Sequence, residues 1–203
     1  MIGFYLIIAI TVFVSINGFQ NKTLMDKCLF SPYLINTSGD YKRMLLHVFI
    51  HADYAHLAFN MFSLFFLGEI LFKSLMFYNA DYGLIHFYII YFAGGLFATI
   101  GPYYKNQNNA SYASLGASGC VSAVVFAFIL WHPSMELMLL FFPFPIPAYI
   151  FGPIYLALEF FALRRGKGNI AHDAHIGGAF FGIIYILLIN PQKGVNFLEL
   201  ISL

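Results

Sequence analysis

The chain has 203 residues, of which 61% are hydrophobic, 20% aromatic and 9% charged, against about 25% charged in an ordinary soluble domain. That composition excludes a water-soluble globule and makes this an integral membrane protein. Ten Lys and Arg against nine Asp and Glu leave no basic surface for nucleic acid and no acidic tail, while the two cysteines, Cys28 and Cys120, offer neither a disulfide framework nor paired metal spacing.

A helix crosses the ~30 Å hydrocarbon core with about 20 residues, and six charge-poor stretches of that order follow one another. The first runs from Met1 to about Phe19. It lacks a basic start and a small-residue cleavage site, so it reads as a retained span and not as a removed signal peptide. The second, Met44 to about Leu71, carries Asp53, Glu69 and three histidines. The third, Gly83 to Ile100, stops at Pro102, and the fourth starts near Ser114 and ends at Trp131-His132-Pro133. The fifth covers roughly Ala148 to Leu163 with Pro153 and Glu159 inside it, and the sixth covers Ile170 to Ile189, where Pro191 blocks continuation. The expected fold class is an all-α membrane protein, a six-transmembrane-helix bundle forming a single domain over residues 1–203. The alternating ten-residue segments of a membrane barrel are missing.

The connection from Gly18 to Arg43 contains Phe30, Tyr33, Leu34 and Ile35, so part of it is expected in the membrane interface. The stretch LMLLFFPFPIP is apolar but interrupted by Pro143, Pro145 and Pro147. It is expected as a covered linker without regular helix. No internal repeat supports an inverted-repeat transporter.

Polar side chains inside a bilayer cost about 2.5–3.5 kcal/mol when charged and are functional candidates by default. In HADYAHLAFN, His56 and Asn60 lie four residues apart, about 40° round a helix, and point the same way. That edge serves equally as an interhelical hydrogen-bonded pair. His51, about 140° away on the same geometry, is expected off that edge in a structural bond. In SLGASGCVSA, Ser118 stands between Gly116-Ala117 and Gly119. Two readings are open: a nucleophile at a loop-to-helix junction, where free N–H groups stabilise an oxyanion, or a packing motif in which Gly119, Ala123 and Ala127 form a small-residue stripe. Cys120 is expected to pack. In IAHDAHIGGAFFG, Ala174, Gly178 and Gly182 form a second stripe with His175 beside it. Two smooth faces let the fourth and sixth spans touch and bring His175 to Ser118, a nucleophile with its general base. Asp173 reads as a helix-terminus charge and not as a third catalytic member.

These three motifs, HADYAHLAFN, GASG and AHIGG in that order, resemble the rhomboid family of intramembrane serine proteases, from the second span onward. The stretch from HPSMELMLL to FPIP resembles bacterial members. The resemblance implies Ser118 as nucleophile and His175 as general base, a dyad without a required Asp. His56 and Asn60 then donate to the oxyanion together with the Ser118 backbone N–H, and His51, Gly116 and Gly119 are supporting. It implies transmembrane-helix substrates cut near the end of the span, the lipid bilayer as surroundings, no cofactor and no metal. It also implies a multi-pass location in the cell (inner) membrane, without an added cytosolic domain or seventh span. Two departures stand out: the first connection has no Trp-Arg pair, and the aromatic residue that some bacterial members place four positions after the nucleophile is Ser122 here. The fifth span, with Pro153, is the candidate lateral gate. Two rival functions are a non-proteolytic family member that binds transmembrane segments and a His-ligated metal or haem protein, though His47, His86 and His132 are scattered.

Orientation draws opposite expectations. Eight basic residues (Lys22, Lys27, Lys42, Arg43, Lys105, Arg164, Arg165 and Lys167) lie on the side of Ser118 and His175, against Lys73 and Lys193 on the other. The positive-inside rule puts the first side in the cytoplasm. The resemblance implies a site that opens outward, and this is the orientation expected here.

Overall fold

The computed structural model describes residues 1–139, 142–165 and 171–202, and among them the chain is an all-α membrane bundle with one small β-ribbon. Helix α1 is Ile2–Gln20. Three short helices follow: α2 (Lys22–Cys28), α3 (Pro32–Ser38) and α4 (Arg43–Leu46). Asn21 caps α2, accepting from the Leu24 N–H at 3.0 Å, and Ser31 caps α3 ahead of Pro32. The interfacial connection expected before the second span is therefore a set of folded turns.

Helix α5 is Tyr54–Tyr78 and α6 is Gly83–Asn106, with wider π turns at Leu64–Gly68 and Ile89–Ala93 respectively. Helix α5 begins ten residues later than Met44, because the Asp53 carboxylate accepts from the His56 N–H at 2.7 Å and fixes the N-terminus. Residues 47–49 instead form a single 3-10 turn. Helix α6 runs past the expected stop at Pro102, which sits in the first turn of its last segment, where a missing N–H costs little.

Helix α7, Ser118–Trp131, is apolar all round and buried on nearly every residue from Gly119 to Trp131, as befits a helix at the centre of a bundle. Its 14 residues span about 21 Å, short of the ~30 Å core. The far end is tied down by Lys193, whose ammonium lies 4.6 Å from the Trp131 ring centroid and donates to the Trp131 carbonyl at 3.0 Å.

The proline-rich stretch is an antiparallel ribbon of β1 (Glu136–Leu139) and β2 (Phe142–Pro147), with Leu137 opposite Ile146. Proline forbids the helix, yet on an edge strand its missing N–H faces away from the ladder. Helix α8 (Ala148–Arg165) contains Pro153, and α9 is His172–Ile189. Pro191 ends α9 and opens α10, Gln192–Ile201, a ten-residue helix that buries none of its residues. Among the described residues four helices (α1, α5, α6 and α9) are long and apolar enough to cross a membrane.

Helices α7 and α9 interlock through glycine. A Cβ on Gly178 would overlap the Gly119 carbonyl oxygen, and one on Gly182 would overlap the Ala123 carbonyl oxygen. The two stripes read from the sequence thus face each other, with backbone against backbone. Cys120 packs, its thiol buried beside Gly95.

Candidate active site

Ser118 opens α7, so its N–H belongs to the first turn, which has no intrahelical acceptor. The loop before it is held from three directions. Gly116 donates its N–H to the His47 carbonyl at 2.9 Å, and Ser114 and Phe30 exchange backbone bonds of 3.0 and 2.9 Å. The Ala117 N–H donates to His51 Nε2 at 3.3 Å. Gly116 has φ +113°, a conformation that favours glycine, and a Cβ there would sit 2.7 Å from Cε1 of His56. His56 therefore lies directly over the turn that presents Ser118.

His51 is not excluded from the His56 edge, contrary to the helical-wheel expectation. It precedes the helix, so the wheel does not apply, and its ring meets His56 edge-on at 4.9 Å. Its other nitrogen, Nδ1, bonds Ser15 Oγ at 2.9 Å, and Ser15 Oγ donates to the Phe49 carbonyl at 2.9 Å. Those directions require a neutral ring with the proton on Nδ1. Burial pushes His51 down to about 3, aided by neighbouring His56 and opposed by Asp53. The adjacent His47 is pushed down to about 4 by burial, against its Nδ1 bond to the Arg43 carbonyl at 3.0 Å. Both stay uncharged at neutral pH.

Asn60 is buried on the same face of α5 and donates from Nδ2 to the His56 carbonyl at 3.0 Å. Its second amide proton remains available. Across the site, a Cβ on Gly119 would lie 3.7 Å from the Ala174 carbonyl oxygen. The residue after Ser118 thus touches the residue before His175. The ring of His175 bonds through Nδ1 to Glu159 Oε1 at 3.1 Å and is near enough to His56 to interact with it electrostatically. Among the described residues Ser118 and His175 share no hydrogen bond, the His175 ring bonding Glu159 instead.

Three features were not assigned from the sequence, although a carboxylate inside an apolar span, as at Glu159, is a signal that could have found one of them. Ser15 on α1 anchors His51. Arg43, buried, donates to the carbonyls of Asp26 (2.7 Å) and Leu29 (2.9 Å) and pairs with Asp40 at 2.9 Å, tying down the first connection where a Trp-Arg pair is missing. Glu159 on α8 accepts from His172 Nδ1 at 2.7 Å as well as from His175. These three side chains bring one ligand atom each within 4.8 Å of one another, an arrangement that could also hold a metal ion. The other histidines are dispersed: His86 bonds Tyr185 and His132 bonds Ser74. Asp173 lies in the first turn of α9, as expected of a helix-terminus charge. Of the basic residues counted for orientation, Lys167 lies outside the described residues.

Residues 38–192 match the rhomboid domain family. RHOMBOID-like protein 12, mitochondrial, of Arabidopsis thaliana is 30% identical over 181 residues, which cover 83% of this chain and 52% of that protein. The presenilin-associated rhomboid-like proteins, mitochondrial, of Bos taurus and Homo sapiens are 31% and 30% identical over 145 residues, covering 70% of this chain and 37% and 36% of theirs. The chain thus spans about half the length of the plant relative and little more than a third of the mammalian ones.

Proposed function

Because the chain belongs to the rhomboid family, we propose that it is an intramembrane serine endopeptidase that cleaves transmembrane-helix substrates with Ser118 and His175. The single observation that carries this reading is the glycine-to-carbonyl packing of α7 on α9, which brings Gly119, next to Ser118, against Ala174, next to His175. Ser118 Oγ attacks the scissile carbonyl and passes its proton to His175 Nε2. The tetrahedral oxyanion is met by the Ser118 N–H, His56 and Asn60. Collapse breaks the C–N bond as His175 returns the proton to the leaving amine, and water then hydrolyses the acyl-enzyme by the reverse proton route.

A helical peptide bond has its carbonyl engaged, so the substrate must unwind locally before attack. The reading includes six spans in a single domain, with α7 and α8 joining the four long helices. It also includes entry beside α8 at Pro153 and a site opening outward. Pairing of Arg43 with Asp40 fits a first connection whose charges are partly neutralised. The named relatives are mitochondrial, so a mitochondrial membrane stands beside the cell (inner) membrane as its home, and fractionation decides between them.

Purified protein offered a transmembrane substrate with a small residue at the cleavage position should cut it, and Ser118→Ala should not. Binding of the substrate without cutting by the wild type would favour the non-proteolytic reading instead.

A further inference from the structure

We propose that Glu159 is the positioning residue of His175, a carboxylate that makes this site a Ser-His pair oriented by an acid; this rests on the peptidase reading. The Glu159 side chain is 12% exposed and is shared between two imidazoles, with Oε1 3.1 Å from His175 Nδ1 and Oε2 2.7 Å from His172 Nδ1. A carboxylate only accepts, so each ring must present Nδ1–H to it. For His175 this leaves the Nε2 lone pair free, the atom that has to take the Ser118 proton. A carboxylate behind the base selects the tautomer, fixes the ring plane and stabilises the imidazolium that forms.

The chain needs such a group because Ser122, four residues after the nucleophile, is a small buried side chain on α7 that cannot stack against His175. The space is used differently. The Tyr155 hydroxyl, one turn before Glu159 on α8, lies close to both Ser122 and Glu159. His172 completes the clamp by holding the second oxygen, and its ring lies edge-on to His175 at 6.3 Å. With both oxygens occupied, the carboxylate cannot rotate away from the base.

Glu159→Gln keeps the shape but offers an amide that can donate to Nδ1 and select the wrong tautomer. We expect kcat to fall about 10²–10⁴-fold, the range general-base contributions occupy, with KM within about twofold because no substrate contact is lost. Glu159→Asp retains the charge and should recover at least about tenfold over the Gln variant. A second readout is independent of turnover: nitrogen-15 histidine spectra should report the Nδ1–H tautomer of His175 in wild type and its loss in Glu159→Gln. An unchanged tautomer, or a Gln variant that cleaves like wild type, overturns the role of Glu159 alone. A wild type that cleaves nothing overturns the peptidase reading and this role with it. Loss of wild-type cleavage on chelation, restored by Zn²⁺, would assign Glu159, His172 and His175 to a metal and overturn the positioning role.

Discussion

One methyl group at Gly182 measures how tightly α7 and α9 must approach. A Cβ there overlaps the Ala123 carbonyl oxygen and comes 2.9 Å from its carbon and 3.1 Å from its Cα. Those atoms are backbone, which cannot rotate aside, so Gly182→Ala must separate the helices. Overpacking costs about 1–3 kcal/mol, and a backbone neighbour places the cost at the upper end. The gain in helix propensity returns about 1 kcal/mol, for a net loss near 2 kcal/mol. For a chain of this size that lowers Tm by about 4–8 °C. Gly101→Ala is the control: it lies in α6 with nothing within 4 Å of its Cβ position, so propensity alone should raise Tm by about 2–4 °C. Thermal unfolding in detergent, followed through Trp131, the single tryptophan, reads both. Gly182 is seven residues, about 10 Å, from His175, so activity should fall only through the lost approach. An unchanged or raised Tm for Gly182→Ala would refute the claim that these glycines set the distance between nucleophile and base.

His175→Ala should abolish cleavage as fully as Ser118→Ala, and the double variant should be no worse than either, since members of one unit are non-additive; a rate assay on all three checks this. Asn60→Ala and His56→Ala should lower kcat by about 10²–10³-fold each, with KM little changed, as for a lost oxyanion donor; a raised KM at constant kcat would return that residue to a structural role. Acid should destabilise the fold. His47 and His51 have folded values near 4 and 3 against about 6.5 when unfolded, so the unfolded chain takes up protons first. Their contribution is full above pH 6.5 and is lost as pH falls towards 4 and 3, by about 2 kcal/mol per ring at pH 5; Tm against pH reads it, and His51→Gln should flatten the curve. Arg43→Ala should cost about 1–3 kcal/mol by leaving the Asp26 and Leu29 carbonyls without their donor and should open residues 21–42 to limited proteolysis.

How much of this was legible in the sequence follows from how local each signal is. The stripes Gly119-Ala123 and Gly178-Gly182 repeat every fourth residue, so their faces and their mutual fit could be read directly. Ser118 and His175 stand beside those stripes, one residue before Gly119 and one after Ala174. The start of α5 was misplaced because residues 44–50 are apolar apart from His47, and only the carboxylate of Asp53, as a cap, ends the irregular stretch. His51 followed from that error: its position was computed on a helix that begins three residues later. The ribbon at 136–147 was legible only as non-helical, since proline excludes α-helix without choosing between linker and edge strand. Glu159 carried only the signal of a carboxylate inside an apolar span, with nothing to say which group it serves. It is 16 residues from His175 on another helix, and nothing but tertiary packing says which carboxylate reaches the ring.

The most direct test of the central claim is covalent labelling of Ser118 by a fluorophosphonate, mapped by mass spectrometry on the membrane-embedded protein. The reagent forms a phosphorus–oxygen bond with the nucleophile as fluoride leaves and the base takes the proton, so it reports an activated serine without requiring a known substrate. A single adduct on Ser118, lost in His175→Ala and retained in Gly101→Ala, is the predicted result. An intact wild type that takes no label, or that takes it at another serine, would contradict the assignment of Ser118 and His175 as nucleophile and base.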